Sequence, residues 1–415
     1  MRRTPTATAG SGASHGNAGW IVPADVGPVP APGVVLQALK WMLRRDSPLY
    51  VHPSLRPDFI RFMLTMARRS NSAHFRSAFL ANLALTEGTM QLLDQYADDG
   101  LDFEMHQEGL LMAFAEKATM QHHVAELEIV SQHGLDPQVL SGVDAARQEP
   151  ALRPSLAGAI YFPHERHLRP DLLMAALAKR CRELGATIRE QTALTAVQKN
   201  SRVNALLTSN GALEADQYLL AAGAHSGPLS RLFGARMPVH PGKGYSVDYA
   251  PAPVRLTAAV NLSDARVAVT PTKGRLRLAG TMEFAGLDTA ISPVRVQAIR
   301  TAPSRYFVDW DPSLAPAVGP WAGARPMTPD GLPIMGRMPG LENAWIATGH
   351  GMLGVTLGPA SGRAIAQTIS TGVEPAVLGP FAPRRFTTSG GRVAVYPRRL
   401  PAATGVESRD EKTEH

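Results

Sequence analysis

Between residues 157 and 221 the chain changes pattern in an order that few architectures accept. Ala157–Phe162 is a short apolar run of strand type. Arg169-Pro170-Asp171 then opens a helix whose apolar positions recur every three or four residues, and Gly185 closes it. A strand is predicted at 186–190, and the runs Arg202–Thr208 and Ala212–Ala221 flank Asn210-Gly211, the strongest short hairpin signal. Strand, helix, strand and hairpin in succession predict a three-layer α/β arrangement.

The flanks differ in texture. Residues 26–33 are rich in proline and read as an extended linker. Amphipathic helical patterns follow at 34–45, 56–68, 75–98 and 117–133, a helix-rich block with few strand signals. Residues 244–284 alternate in β fashion, with turn signals at Asp248–Pro253 and Lys273-Gly274. The last patterned block, 321–372, runs loop, strand (Trp345–Thr348), glycine-rich turn and helix (358–371); beyond Phe386 the composition predicts a disordered tail. The 415 residues support two packed domains, and no internal repeat occurs.

Charge and cysteine content remove several function classes. The net charge is +7, but residues 380–415 alone hold seven basic groups against four acidic ones. No basic stripe interleaved with aromatics remains to bind nucleic acid. The single Cys181 excludes an internal disulfide framework and a multi-thiolate metal site. Its register with Leu173, Leu177 and Leu184 predicts a small core residue in a reducing or redox-indifferent setting. No apolar run reaches the roughly 18 residues of a membrane span, and no apolar stretch follows the basic start as a signal peptide requires.

Three elements carry chemistry. Gly349-His350-Gly351-Met352-Leu353-Gly354 fits G-x-G-x-x-G between a strand and a helix, where a helix N-terminus favours an anionic or planar ligand. A plain tight turn is the other reading. Ala324-Arg325-Pro326-Met327-Thr328-Pro329-Asp330-Gly331 is a dense turn element with one arginine, a bidentate clamp for a carboxylate or simply an exposed turn residue. Tyr218–Ala224 is an apolar strand running into a small-residue turn. His164-Glu165-Arg166-His167 lacks zinc-helix spacing, His122-His123 reads as solvated or capping, and no metal site is predicted.

Taken together, Trp321–Arg337 and Ile346–Gly362 resemble the C-terminal signature of the FAD-dependent D-amino acid oxidase-like family, and within it the bacterial D-amino acid dehydrogenases. Ser14–Gly19, Ala31–Leu43, Ala221–Gly227 and Gly242–Ser246 extend the resemblance over residues 11–386. It implies FAD as cofactor and oxidative deamination of D-amino acids to 2-oxo acids and ammonia, by hydride transfer to flavin N5. Oxidation of glycine- or sarcosine-type amines is an alternative. Arg325 takes the place of the carboxylate-binding arginine, with Tyr245 as a helper. Gly349, Gly351, Gly354 and Thr356 match the segment facing the flavin pyrimidine. Ser14, Asn17, Ala18 and Gly19 match the segment passing the ring and ribityl chain, and Ala221, Ala222 and Gly223 the turn against the diphosphate or ribose. Where some relatives have His and Tyr, Ala265 and Val267 stand here.

The implied fold is α/β, with an FAD-binding three-layer Rossmann-like domain interleaved with an α+β substrate domain. Residues 1–25, 149–240 and 318–386 are expected to form the former, 26–148 and 241–317 the latter, and 387–415 the tail. Relatives begin with a strand, a glycine-rich turn, a helix and a second strand, a βαβ unit of roughly 30–40 residues. The sequence starts after them, so an N-terminally truncated domain is expected, and an inactive remnant unable to hold FAD is a third reading. The expected partners are an amino acid substrate and an electron acceptor, such as a quinone of the respiratory chain, with no nucleic acid. Helix 34–45, with Trp41 and Arg44-Arg45, either packs on its own domain or rests on a membrane surface, giving a cytoplasmic protein or one peripheral to the cytoplasmic membrane face.

Overall fold

A computed structural model describes residues 8–42 and 47–387. The residues Met1–Thr6, Arg44, Arg45 and the tail from 388 onward lie outside the described residues, and with them the expectations placed there. The first part contains β1 (Trp20–Ile21), α1 (Val34–Met42), β2 (Leu49–Val51), α2 (Pro57–Arg69), α3 (Ser72–Leu85) and α4 (Thr89–Asp98). Then come β3 (Met105–His106), β4 (Leu110–Phe114), α5 (Lys117–Ser131), β5 (Gln138–Leu140), α6 (Gly142–Gln148), β6 (Gly158–Phe162) and β7 (Arg166–Leu168). The middle holds α7 (Pro170–Glu183), β8 (Leu194–Lys199), β9 (Val203–Thr208), β10 (Gly211–Leu213), β11 (Tyr218–Leu220) and α8 (Ser226–Ser230). The chain continues through β12 (His240–Tyr249), β13 (Ala259–Leu262), β14 (Val267–Thr272), β15 (Arg275–Phe284) and α9 (Pro293–Thr301). It ends with β16 (Trp321–Met327), β17 (Ile334–Arg337), β18 (Ala344–Thr348) and α10 (Gly354–Thr371).

Two sheets position the site. In the smaller, β11 pairs in parallel with β18, and β17 pairs antiparallel on the other side. The larger runs β16-β12-β15-β14-β13-β4-β6-β5, with β2 beside the end of β15. One face of this sheet packs Tyr245, Val247, Tyr249, Leu276 and Leu278 against Val296 and Ile299 of α9. Truncating such a side chain to alanine costs roughly 2–5 kcal/mol. The large sheet takes β6 and β16 from the segments 149–240 and 318–386, so the expected segment boundaries do not coincide with its edges.

Several local expectations are corrected. The helix-rich block contains β2 to β5. All five residues of β4 are buried, and a strand covered on both faces reads as continuous apolar sequence rather than alternation. The helix expected over 75–98 is two, because Gly88 turns left-handed (φ 78°) before α4. Residues 186–190 are not a strand, since pairing with β9 begins only at Leu194. The second arm of the Asn210-Gly211 hairpin is also split: β10 stays with β9, while Tyr218 begins β11 in the other sheet. Cys181 is exposed rather than buried, because only the first turns of α7 reach the core: Leu173 is 3% exposed and Leu184 is 70%.

The segment His164–His167 disperses. His164 and Glu165 part to surface and interior, Arg166 pairs with Asp94, and His167 stacks on His106 at 4.8 Å. Buried Glu165 accepts a hydrogen bond from the Ala24 N–H at 2.9 Å. Burial pushes its carboxyl up to about 8; the Ala24 bond opposes the shift and nearby Asp25 adds to it. Below the ordinary value of 4.5 both folded and unfolded chains hold this proton, whereas between 4.5 and 8 only the folded chain does. Stability from this group is therefore lost as pH rises through that window. Glu165→Gln, which cannot ionise, is expected to gain on the wild type in urea midpoint between pH 5 and pH 8. A constant difference across that range would show that Glu165 does not titrate in it.

Candidate functional site

Residues 10–18, the ends of β11 and β18, the start of α10, and strand β16 converge on a cavity of about 1950 Å³. Hydrogen bonds between distant segments hold this wall together. Arg277, paired with Asp248 at 2.7 Å, donates to the carbonyls of His15 (3.1 Å) and Asn17 (3.0 Å). Thr270 donates to the Ala18 carbonyl at 2.8 Å. The Thr348 hydroxyl donates to the Gly223 carbonyl at 3.1 Å, fixing the turn after β11 against β18. The Gly351 N–H donates to the Pro326 carbonyl at 3.1 Å, which brings the arginine strand beside the glycine loop.

Ser14, Asn17, Ala18, Ala221, Ala222, Gly223, Gly351, Gly354, Thr356, Tyr245 and Arg325 all line the cavity. Gly19 and Gly349 are not among its lining residues. Both have left-handed backbones, and a Cβ would overlap the Leu168 carbonyl oxygen at Gly19 and the Thr328 methyl at Gly349. Each glycine serves the shape of its own turn, before β1 and after β18. Thr356 has its hydroxyl engaged, donating to the Trp20 carbonyl (3.0 Å) and accepting from the Val22 N–H (3.2 Å), so it ties β1 to α10. The first turn of α10 carries no acidic residue and no side-chain cap, leaving its N-terminal N–H groups and partial positive charge at the cavity.

Arg325 is half-buried in the cavity wall. Its Nη1 donates to the Thr281 carbonyl at 2.7 Å, and among the described residues it has no carboxylate partner. Burial alone lowers its pKa, to about 10, and it remains a cation. The guanidinium lies over Gly244, where any Cβ would overlap it. Tyr245 is the next residue on β12. Side chains alternate across a strand, and Tyr245 belongs to the face packed against α9. Its hydroxyl donates to Glu283 at 2.6 Å. The expectation that Tyr245 assists Arg325 is thus corrected: the sheet lies between the two side-chain ends.

Three further residues line the cavity. His350 is the variable position inside the glycine turn; its Nε2 lies 3.0 Å from the Ser361 hydroxyl, and burial lowers its pKa to about 4. His123, for which the sequence suggests a solvated or capping role, is half-buried in the cavity wall, its ring 5.3 Å from that of Phe114. Burial first, then the charges of Arg266 and His122, lowers it to about 4, against the pull of Asp264. Thr281 is the third. Only the G-x-G turn gave a sequence signal for any of these.

Known proteins match this arrangement over most of its length. The chain is 32% identical to a D-amino acid dehydrogenase of Paramagnetospirillum magneticum, covering 92% of this chain and 91% of that protein. A D-amino acid dehydrogenase of Bradyrhizobium diazoefficiens is also 32% identical, over 88% and 87%. Among solved structures, glycine oxidase from Geobacillus kaustophilus superposes with a TM-score of 0.70 at 24% identity, covering 92% and 91%. L-alpha-glycerophosphate oxidase from Mycoplasma pneumoniae with FAD bound gives 0.62 at 18% identity, over 86% and 85%. The sequence model of the family described as FAD dependent oxidoreductase matches residues 5–368, a span that contains both strands of the arginine–glycine junction and every wall of the cavity named above. By that match this chain belongs to the DAO family of FAD dependent oxidoreductases.

Proposed function

We propose that this protein oxidises D-amino acids to imino acids, which hydrolyse to 2-oxo acids and ammonia. The observation that carries this reading is Arg325, a cation without a carboxylate partner among the described residues, held beside the glycine loop in a cavity large enough for a cofactor and a small substrate. A desolvated guanidinium binds a carboxylate bidentately and fixes its orientation. The names of the 32%-identical relatives support an amino acid as the group bound there.

The cavity fits FAD. Its glycine loop lets a planar ring approach the backbone, and the uncapped start of α10 offers N–H groups to negative charge. Gly351, Gly354 and the start of α10 would hold the ring, Ser14, Asn17 and Ala18 its chain, and Ala221, Ala222 and Gly223 the diphosphate side. The bound cofactor supplies the two-electron oxidation. The protein's part is to bind and orient: Arg325 sets the carboxylate, the walls limit access of water, and burial keeps His350 neutral at neutral pH. In this reading 149–240, 318–386 and the described part of 1–25 build the cofactor domain, from which Arg325 serves the substrate, while 26–148 and 241–317 shape the rest of the substrate side.

The acceptor belongs to the same proposal. No helix among the described residues is long and apolar enough to cross a membrane. Val35 and Leu36 of α1 are 39% and 69% exposed, which supports contact with a membrane surface carrying a quinone. Purified protein with a flavin spectrum and dye-linked turnover of D- but not L-amino acids is the expected result. Turnover confined to glycine and sarcosine, or a colourless inactive protein, would overturn the reading.

A further inference from the structure

Where β15 pairs with β12 it carries an extra residue. Gly280 stands opposite Tyr245 and Glu283 opposite Lys243, so Thr281 and Met282 together face Gly244. A bulge of this kind breaks the alternation of faces and re-aims the residues within it. Thr281 sits there at φ 66°, a left-handed backbone that glycine adopts freely and a β-branched residue rarely does. The bulge has a visible result: the Thr281 carbonyl is turned to accept from Arg325 Nη1 at 2.7 Å, in the slot that Gly244 leaves open.

The side chain is the part glycine would not supply. Thr281 is 9% exposed and lines the cavity. Its hydroxyl makes no hydrogen bond within the described protein, and it is not one of the sealed, unpartnered interior oxygens such as those of Ser226 and Ser263. The oxygen therefore keeps accessible surface, and the space Thr281 lines is the cavity that holds Arg325. We infer that Thr281 is a second binding residue for the substrate carboxylate: its carbonyl sets the direction of the guanidinium, and its hydroxyl donates to the same carboxylate. The inference rests on the reading of Arg325 as a carboxylate clamp.

The test uses holoenzyme carrying Thr281→Val, Thr281→Ser or Thr281→Gly, with Arg325→Ala as reference. Steady-state kinetics with an active D-amino acid is paired with calorimetric titration of propionate, a carboxylate with no amine to oxidise. Thr281→Val is expected to raise KM and the propionate Kd about tenfold with kcat within about twofold, the effect of one hydrogen bond to a charged group. Thr281→Ser keeps both constants within about twofold. Thr281→Gly, at ease in the left-handed region, guards against a misfolded valine variant and is expected to show the same loss. Wild-type propionate affinity in the valine and glycine variants overturns the inference, provided Arg325→Ala abolishes binding. If Arg325→Ala also binds propionate normally, the carboxylate reading itself fails.

Discussion

Replacing Arg325 by alanine is expected to lower kcat/KM for a D-amino acid by roughly two to three orders of magnitude. The size follows from the geometry. Truncating one partner of a desolvated, hydrogen-bonded charge pair costs about 2–5 kcal/mol, because the other charge is left in a water-poor site. Arg325 stands in the cavity wall with a backbone carbonyl as its hydrogen-bond acceptor and no carboxylate partner among the described residues, so the substrate carboxylate would supply the opposite charge. Arg325→Lys restores a positive point charge but not the planar fork, and roughly a tenfold deficit is expected to remain. The protein itself should tolerate the change. Removing a half-buried cation that has no carboxylate partner among the described residues relieves a desolvation cost, so the thermal midpoint of Arg325→Ala without substrate is expected at or above that of the wild type. Undiminished kcat/KM in a folded Arg325→Ala would exclude the arginine from substrate binding.

What the sequence disclosed was what is contiguous along it. The turn Gly349–Gly354, the Arg325-Pro326 pair and the small-residue turn after β11 each lie within a few residues, and their spacing carries the geometry. Across-chain facts had no such signal. Leu-Ala-Gly-Thr-Met-Glu-Phe, residues 278–284, reads as an ordinary strand, and nothing in it announces that Thr281 bulges. β4 escaped because burial on both faces erases alternation. Cys181 lay on the apolar stripe of α7, but a stripe says only where a core would contact the helix, not how far along it the core extends. Tyr245 is the instructive case. Its neighbour Gly244 and the alternation of β12 were both readable, yet which face held the guanidinium was not.

The largest loss of stability is expected from Glu283→Ala, on that opposite face. Glu283 accepts from Tyr245 at 2.6 Å, pairs with His52 at 2.8 Å, and lies 3.4 Å from Lys243 and 3.5 Å from Arg295. The lysine and arginine side chains are only 4% and 6% exposed. With the carboxylate gone, two buried cations face each other without a counter-charge, and breaking a buried pair in this way costs about 3–5 kcal/mol. Burial pushes the Glu283 carboxyl up, but the bonds from Tyr245 and His52 and the charges of Lys243 and Arg295 outweigh it and hold the pKa below its ordinary 4.5. A depressed folded pKa means stabilisation present above pH 4.5 and lost as pH falls through the folded value. Denaturant midpoints of wild type and Glu283→Ala are therefore expected to lie far apart at pH 7 and to converge in acid. Replacing Glu283, Lys243 and Arg295 together by leucine and methionines is expected to recover most of the loss, because a buried ion network is costly to break but seldom more stable than well-packed apolar groups. If the single and triple variants were equally unstable, the deficit would come from shape and packing at β12, β15 and α9, and not from charge.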